Sequence, residues 1–349
     1  MWDALARLAD AAHLPAPEVV EGAPFGYRHR ARLAVRGRAA SPKVGIFQEG
    51  SHRIVDIPSC LVHHPLVNRV AAAVKEALRA TGVAPYADRP HRGVLRTVQV
   101  VVERASASAQ VVLVGNGEDP DALAAAGRHV SAALGAALHS LWWNGNPART
   151  NTILGPHWHR WTGPDAVEET IGGARVFFPP GAFGQANLPL ADRLVAQVAA
   201  WVPDGARVTE FHAGVGAVGL GLLGYVARMA FNEAAPAGLE GLRAGLAAHP
   251  DHARATVLAG PAAAFGDAVA DTDVVIVDPP RKGLDPELLA RLTAEPPPRL
   301  IAISCNPEAF ERQARALFDG GRVALTALVP FALFPHTEHV ETLALFERL

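Results

Sequence analysis

The chain has 349 residues, of which 50% are hydrophobic and 19% are charged, and its formal net charge is -2. This length accommodates about two domains of roughly 150 residues each, and the hydrophobic fraction excludes a disordered chain. There are two cysteines, Cys60 and Cys305. That number excludes a disulfide scaffold, a four-cysteine zinc site and an all-cysteine iron–sulfur cluster.

Membrane and export signals are not found in the sequence. The N-terminal stretch carries an acid at Asp3 and no basic-then-apolar signal pattern. The longest glycine-rich apolar stretch, residues 213–227, is too short to cross a bilayer. We therefore expect a cytoplasmic protein that does not contact a membrane.

The first pattern along the chain is a strand of alternating arginines. In YRHRARLAVRGR, a period of two places arginines on one face and mostly apolar residues on the other. Guanidinium groups suit phosphate oxygens, so this face is a candidate nucleic-acid surface. The alternative is a solvated face in an arginine-rich protein. The arginines of this face are Arg28, Arg30, Arg32, Arg36 and Arg38.

The rest of the first half mixes helices and strands. Helical spacing of Val67, Val70, Val74 and Leu78 predicts a helix, and two strand-like runs, VLRTVQVVVE and AQVVLVG, follow it. An alanine-rich helix then covers DALAAAGRHVSAALGAAL. The sequence predicts an α+β domain over residues 1–165.

The second half alternates strands and helices, which is typical of an α/β domain with a parallel sheet. Asn187 is a predicted N-cap of a helix. The strand ARVTEF leads into a glycine loop and a predicted apolar helix. The later strands are contained in DVVIVDPP, RLIAISCNP, RVALTALVPF and HVETLALFERL. We predict that this domain covers residues 166–349.

The glycine loop matches the pattern G-x-G-x-x-G between a strand and a helix. Gly214, Gly216 and Gly219 occupy its glycine positions, and both NAD and S-adenosylmethionine (SAM) enzymes use such loops. Glu233 ends the next strand-like run, where a carboxylate can accept hydrogen bonds from ribose hydroxyls. The alternative for Glu233 is an ordinary exposed acid.

Two further motifs lie at strand ends. Asp278 opens a D-P-P-R turn, and prolines cannot continue a central strand, so the chain turns out at the ligand-binding edge of the sheet. Cys305 lies in the turn after the next strand. A thiol at such a position is a candidate nucleophile, and its alternative is a buried inert cysteine. The D-P-P-R turn and the cysteine turn together favour a SAM enzyme over an NAD enzyme.

The chain resembles the SAM-dependent RNA 5-methyluridine methyltransferases from about residue 22 to its end. The resemblance implies a Rossmann-like methyltransferase domain, with a mostly parallel seven-stranded sheet, behind an RNA-contacting α+β domain. The motifs that carry it are PFGYRHRARLAV, IVDIPSC, FFPPGAFGQANLPLADRL, TEFHAGVGAVGL, VDPPRKGLD, ISCNP and FPHTEHVETLALF.

The resemblance implies a role for each matching residue. Cys305 adds to C6 of uracil, which makes C5 reactive towards the methyl group, and Glu341 then removes the C5 proton. We expect the site to lower the pKa of Cys305 or to deprotonate it, and burial to raise the pKa of Glu341. The residues implied to bind SAM are Gln185, His212, Glu233 and Asp278.

The chain departs from the family pattern at several points, among them Ala217, where some members have Asn. His212 stands where relatives usually have Tyr or Phe, and an imidazole can still stack beside the cofactor. The cysteines of cluster-bearing members are absent, so no iron–sulfur cluster and no metal site are expected.

The expected partner is a structured RNA with an exposed uridine, because an unpaired base leaves its stack most cheaply. The segment ARTNTILG and the FPHT motif resemble the ribosomal RNA branch of the family more than the tRNA branch. The resemblance therefore implies 23S ribosomal RNA as the substrate, and the alternative is the tRNA T-loop. Three other hypotheses about function are left open: cytosine C5 methylation, a non-catalytic RNA-binding relative and an NAD oxidoreductase. We expect a monomer.

Overall fold

The structure is a computed structural model that describes residues 2–51 and 53–349, and it divides into two compact units. The sequence prediction begins its first domain at residue 1, whereas helix α1 (Trp2–Ala11) belongs to the second, larger unit. The physical reason is that Leu5 and Leu8 are buried in the core of that unit. The larger unit comprises residues 2–24, 170–178 and 182–349, and the smaller unit comprises residues 25–169 and 179–181.

The smaller unit is a seven-stranded sheet with two helices on one face. The strand order is 3-2-1-4-5-6-7, and every pair is antiparallel except the parallel fifth and sixth strands. The strands are β1 (Arg30–Arg38), β2 (Ser41–Phe47), β3 (Ile54–Asp56), β4 (Leu95–Glu103), β5 (Ser108–Gly115), β6 (Leu138–Gly145) and β7 (His157–Thr162), and the helices are α2 (Pro65–Thr81) and α3 (Asp121–Leu134).

Helix α2 forms as predicted. The His64 side chain accepts a hydrogen bond from the Leu66 N–H at 3.3 Å, and Gly82 ends the helix in the left-handed conformation at φ +70°. Its apolar stripe, together with Ala31, Leu33 and Val35 of β1, is buried in the core of the smaller unit. The predicted alternation of β1 is therefore present, with its arginines on the opposite face.

The arginines of that face do not all face solvent. Arg38 is exposed. Arg32 is exposed in part, and its Nε donates a hydrogen bond to Oε1 of Gln99 at 2.7 Å. Arg36 instead donates from Nε and Nη2 to the two carboxylate oxygens of Asp88, at 2.7 and 2.8 Å. Arg36 therefore stabilises the smaller unit through this ion pair. Fewer arginines of β1 are available to bind a nucleic acid than the sequence suggests.

After a two-stranded sheet, formed by β8 (Val167–Ile171) and β9 (Ala174–Phe178), comes the main sheet of the larger unit. Its strand order is 12-11-10-13-14-16-15, with strands 10 to 14 parallel and strand 16 antiparallel to both neighbours. The predicted Rossmann-like, mostly parallel seven-stranded sheet is confirmed. Its elements are α4 (Leu188–Trp201), β10 (Arg207–Phe211), β11 (Arg228–Glu233), α5 (Pro236–Ala247), β12 (Ala255–Ala259), β13 (Val274–Val277), α6 (Pro286–Ala294), β14 (Arg299–Ser304), α7 (Pro307–Phe318), β15 (Val323–Phe331) and β16 (Glu341–Arg348).

The apolar helix predicted after the glycine loop is wrong. The chain there forms turns and a short 3-10 helix at Leu220–Leu222. Glycine disfavours a helix interior, and here it also allows close packing. A Cβ at Gly219 would lie 2.1 Å from Cε of Met229, and a Cβ at Gly221 would lie 2.4 Å from the carbonyl oxygen of Gly172.

Among the described residues, no helix is both long and apolar enough to cross a membrane.

Candidate active site

Cys305 and Glu341 meet because β14 and β16 run in opposite directions. In the pairing of these strands, Ser304 lies opposite Thr342. Cys305 directly follows Ser304, and Glu341 directly precedes Thr342. The end of one strand and the start of the other therefore lie side by side at the carboxyl edge of the parallel strands, where α/β sheets bind ligands.

The turn that carries Cys305 is held by its neighbour Asn306. The Asn306 side chain accepts a hydrogen bond from the Ala309 N–H at 3.3 Å, which caps α7, and its Nδ2 donates to the carbonyl oxygen of Arg281 at 3.1 Å. One asparagine thus ties the cysteine turn both to the helix that follows it and to the D-P-P-R turn.

Asp278 lies at the same edge, beside the ends of β10 and β13. It follows β13, and its N–H donates to the carbonyl oxygen of Phe211 at the end of β10, at 3.3 Å. The segment beyond it is held by Gln313 of α7, which bonds the N–H and the carbonyl oxygen of Leu284 at 3.0 and 3.1 Å. The strand order therefore brings Asp278, Cys305 and Glu341 to one edge.

Burial dominates the electrostatics of this edge. Glu341 is 2% exposed. Its pKa is raised well above the ordinary value by burial first and by the Asp278 carboxylate second, while Arg281 acts in the opposite direction. Burial also raises the pKa of Asp278 to about 7. The direction expected for Glu341 from the sequence agrees with the structure.

The expected lowering of the Cys305 pKa is not found. The pKa of Cys305 is raised, by burial first and then by the carboxylates of Glu341 and Asp278, and Arg281 again opposes the shift. The prediction did not take into account the effect of burial and of these two acids on the pKa of the thiol. Cys305 is therefore a neutral thiol before substrate binds, and a reaction that needs the thiolate must first remove its proton.

Glu233 is bound to the backbone of the glycine loop. One carboxylate oxygen accepts from the Gly214 N–H at 2.7 Å, and the other accepts from the Ala234 and Ala235 N–H groups at 2.9 and 2.5 Å. Gly214 adopts φ +57°, and a Cβ there would meet nothing within 4 Å. The acid and the loop thus form one structure at the ends of β10 and β11, bordered by open space.

Two buried polar atoms beside this loop lack hydrogen-bond partners within the part of the chain that the structure describes: Oε2 of Glu210 and Nδ1 of His212. Glu210 is 1% exposed, and its pKa is raised well above the ordinary value by burial, by Asp278 and by Glu233. His212 adopts φ +61° directly after β10, and burial lowers its pKa. Unpaired buried polar groups are costly, so both atoms indicate a ligand site.

Glu210 was missed by the sequence reasoning. It stands in the strand ARVTEF, four residues before Gly214, and an acid inside an otherwise buried strand was the available signal.

Gln185 lies just before α4. Two residues later, Asn187 caps that helix, as predicted, by accepting from the Leu190 N–H at 3.4 Å. The Asn187 Nδ2 also donates to the carbonyl oxygen of Leu333 at 3.2 Å, in the loop that leads to Glu341. The segment that carries Gln185 is thus tied to the Glu341 loop.

Helix α1 contacts α7, the helix that directly follows the candidate nucleophile Cys305. Arg7 donates from Nε and Nη2 to both carboxylate oxygens of Glu311 on α7, at 3.0 and 2.6 Å. Leu5 and Leu8 are buried in the same core as the apolar side of α7. The helix that follows Cys305 is therefore held from its outer side by the N-terminal helix.

The chain after α1 contacts the loop before Glu341. The Ala332 N–H donates to the carbonyl oxygen of Val20 at 3.0 Å, and Nε2 of His336 lies 3.0 Å from the carbonyl oxygen of Pro24. His336 adopts a left-handed conformation at φ +68° within this loop. These contacts hold the loop at both of its halves.

Neither cysteine is in a disulfide, and no group of three or more His, Cys, Asp or Glu residues within residues 2–51 and 53–349 could hold a metal ion.

Known proteins are similar to this chain in both sequence and fold. The family model for tRNA (uracil-5-)-methyltransferase matches residues 269–349, which contain the Asp278, Cys305 and Glu341 motifs. An RNA methyltransferase of Protochlamydia amoebophila is 35% identical over 95% of this chain and 88% of its own length. The chain belongs to the RNA uracil-5-methyltransferase family. A second member, from Gloeobacter violaceus, is 31% identical over 99% of this chain and 76% of its own length.

A solved structure of this methyltransferase family has the same fold. The tRNA (uracil-54, C5)-methyltransferase of Pyrococcus abyssi, in complex with S-adenosyl-L-homocysteine, matches with a TM-score of 0.80 and 25% identity, over 98% of this chain and 81% of that chain. The match extends over both units, so the smaller unit is also similar to a part of that methyltransferase.

Proposed function

We propose that this protein methylates C5 of a uridine in RNA through a covalent bond between Cys305 and C6, with Glu341 as the base. The observation that carries the proposal is the pairing of Ser304 with Thr342. It sets the Cys305 thiol and the buried Glu341 carboxyl group side by side at the ligand-binding edge of the sheet.

The residues around the glycine loop fit SAM as the cofactor. Glu233 suits the ribose hydroxyls, Gly214 allows close approach, and the unpaired atoms of Glu210 and His212 are available to the polar groups of a ligand. Gln185 and Asp278 complete the proposed set. When bound, SAM would supply an electrophilic methyl group to C5, and its sulfur would keep the electron pair of the sulfur–methyl bond that breaks.

The protein's own residues perform the rest of the reaction. Cys305 loses its proton to solvent water, and its Sγ adds to C6 of the uracil, which moves electron density to C5. C5 forms its bond to the methyl group and still carries its proton. Glu341 Oε accepts that proton, the Sγ–C6 bond breaks, and the C5–C6 double bond returns. Glu341 therefore must be ionised when the second half of the reaction begins.

We propose 23S ribosomal RNA as the substrate, on the segment ARTNTILG and the FPHT motif. The second candidate is the tRNA T-loop, which is favoured by the match to the P. abyssi tRNA enzyme. Incubation of ribosomal RNA fragments and tRNA transcripts with radiolabelled SAM, followed by mass-spectrometric mapping of the product, discriminates between them.

The test of the mechanism uses RNA that contains 5-fluorouridine. Glu341 cannot remove fluorine from C5 as it removes a proton, so the bond to Cys305 persists and a denaturation-resistant adduct accumulates. Cys305→Ala should form no adduct. Cys60→Ser is the matched control and should form the adduct like the unaltered protein. The absence of an adduct with any cellular RNA, together with no calorimetric SAM binding, would contradict the proposal and support a non-catalytic RNA-binding protein.

A further inference from the structure

The outer edge of the smaller unit carries an exposed aromatic and basic surface. In the pairing of β6 with β7, Asn144 lies opposite Trp158 and Trp142 lies opposite Arg160, so these four side chains share one face. The rings of Trp142 and Trp158 meet edge to face at 6.5 Å, and the Arg160 guanidinium lies 5.7 Å from the Trp142 ring centre. Trp158 nevertheless remains 38% exposed.

Next to this edge lies a loop, residues 147–156, that is exposed at its centre but fixed from below. The Asn144 side chain donates to the carbonyl oxygen of Gly155 and accepts from its N–H, at 2.9 and 2.7 Å. The Asn146 side chain donates to the carbonyl oxygens of Thr152 and Ile153, at 2.7 and 3.0 Å. Both asparagines are almost fully buried.

The same loop is held by a buried arginine. Arg96 is 8% exposed and donates to the carbonyl oxygens of Ala148 and Thr150, at 2.8 and 3.4 Å. Three buried polar side chains therefore fix the backbone of a segment whose own side chains, including Arg149, face solvent. A fixed, exposed loop is preorganised for recognition, because it loses little conformational entropy on binding.

The charge of the smaller unit indicates the class of partner. Residues 25–169 contain 17 basic and 11 acidic residues, which gives +6, whereas the rest of the chain contains 15 and 23, which gives -8. At the edge itself, Arg160 is paired with Asp165, and His157 lies 3.7 Å from Glu118. Arg149 carries the positive charge on the adjacent loop. A polyanion with stacking groups complements this combination.

We propose that this edge binds an unpaired segment of the substrate RNA, with a base stacked on Trp158 and a phosphate group near Arg149. The proposal rests on the proposed RNA activity. Single-stranded RNA offers bases that are free to stack on aromatic side chains, whereas a duplex keeps its bases covered. This surface would therefore read the accessibility of the RNA strand rather than its full sequence.

The first test is Trp158→Ala, with RNA affinity measured by filter binding on the RNA that the unaltered protein methylates. We expect binding to weaken roughly 5-fold to 150-fold, because this is the effect of losing one base–aromatic stack. The turnover number at saturating RNA and the SAM affinity should not change. Trp2→Ala is the matched control, since Trp2 is 47% exposed on α1, and it should bind RNA normally.

Trp158→Phe distinguishes stacking from folding. This variant keeps a flat ring and should regain most of the RNA affinity, whereas a protein destabilised at this site would show a lowered melting temperature in both variants. Unchanged RNA affinity in Trp158→Ala would overturn the inference. A melting temperature lowered in step with affinity would also overturn it.

The second test is Arg149→Ala, with affinity measured over a series of salt concentrations. Loss of one phosphate contact should reduce the slope of log affinity against log salt by about 0.7. Arg128→Ala is the control, since Arg128 is exposed on α3, and its slope should match that of the unaltered protein. If the unaltered protein forms no adduct and methylates no RNA, the proposed function fails. If it does both and these variants bind RNA normally, the inference about this edge alone fails.

Discussion

The two edges of the main sheet in the larger unit treat acidic side chains in opposite ways. At the amino edge, Asp273 receives two hydrogen bonds from the Arg207 side chain, at 3.0 and 2.8 Å, and its pKa falls to about 2. At the carboxyl edge, Glu210 and Glu341 are buried and Asp278 is half-buried, and all three have raised pKa values. The same sheet thus stabilises the ionised form of Asp273 and destabilises the ionised forms of the three acids at the other edge.

The difference shows at which edge of the sheet the ionisation of acidic side chains is unfavourable. Paired acids at the amino edge stabilise the folded state, whereas buried acids at the carboxyl edge cost stability once they ionise. Such shifts are concentrated at functional sites, because a base must have a pKa near the pH at which it works. Changes at the carboxyl edge should therefore alter activity, and changes at the amino edge should alter stability.

The largest expected effect comes from Glu341→Gln. The amide keeps the shape of the side chain and cannot accept the C5 proton, so turnover should fall roughly 10²-fold to 10⁴-fold. In the proposed mechanism, thiol addition and methyl transfer precede proton removal, so ordinary RNA should remain bound to Cys305 as a methylated adduct. Gel electrophoresis under denaturing conditions and mass spectrometry detect that species.

The control for this variant is Glu338→Gln, three residues earlier in the same loop and exposed. It should turn over normally. If Glu341→Gln also turned over normally, the base would be another group, and the contrast between the two edges would lose its functional meaning.

The pH dependence of the methylation rate is the next largest effect. The pKa of Cys305 is raised above its ordinary 9.0, so the thiolate fraction should increase about ten-fold per pH unit across the neutral range. Protonation of the raised-pKa acids should reduce the rate further as the pH falls below about 7, the pKa of Asp278. Single-turnover rates between pH 6 and 9 measure this, and a flat profile would contradict it.

Arg281 allows this profile to be moved. Its charge lowers the pKa of both Cys305 and Glu341, so Arg281→Ala should shift the rate profile to higher pH. Lys282→Ala is the neighbouring control: the Lys282 ammonium lies 2.9 Å from Asp285 and is mostly exposed. Equal shifts in the two variants would indicate a general charge effect instead of a local one.

Glu210→Gln should have opposite effects on stability and on binding. The raised pKa of Glu210 means that its ionised form is disfavoured in the folded state, so the neutral amide should raise the free energy of unfolding by about 1 kcal/mol at neutral pH, and more as the pH rises. SAM affinity should weaken about ten-fold, because an amide nitrogen that cannot accept a hydrogen bond replaces one carboxyl oxygen. Denaturant unfolding and calorimetry measure the two quantities, with the exposed Glu240→Gln as control. A loss of stability would contradict this assignment.

Local sequence patterns predicted those parts of the site that depend on neighbouring residues. The prolines after Asp278 and the turn around Cys305 mark strand ends, and alternation in β1 separated its two faces. The pairing of β16 with β14, with β15 on the outside, depends on contacts distant in sequence. The raised pKa of Cys305 follows first from burial and then from the carboxylates of Glu341 and Asp278, so its direction could not be deduced from local pattern.

The errors arose where packing overrode local preference. The glycine loop matched a fingerprint that usually opens a helix, but Gly219 and Gly221 serve close packing against Met229 and Gly172 instead. Arg36 fitted a phosphate-binding pattern, and the position of Asp88 could not be anticipated from spacing. Pattern therefore identified residue types and strand ends, and tertiary partners decided which of them were available for function.

The smallest expected effect tests the amino edge. Asp273 has a pKa of about 2 instead of 3.8, chiefly through its hydrogen bonds from Arg207, so its ionised form stabilises the folded state. That contribution is complete above about pH 4 and is lost as the pH falls towards 2. Because both side chains are more than a third exposed, solvent screening limits it to about 1 kcal/mol. Asp273→Asn should therefore lower the free energy of unfolding at pH 7 by that amount and leave the methylation rate unchanged, whereas a loss of activity without a loss of stability would show that the two edges are not separate in function.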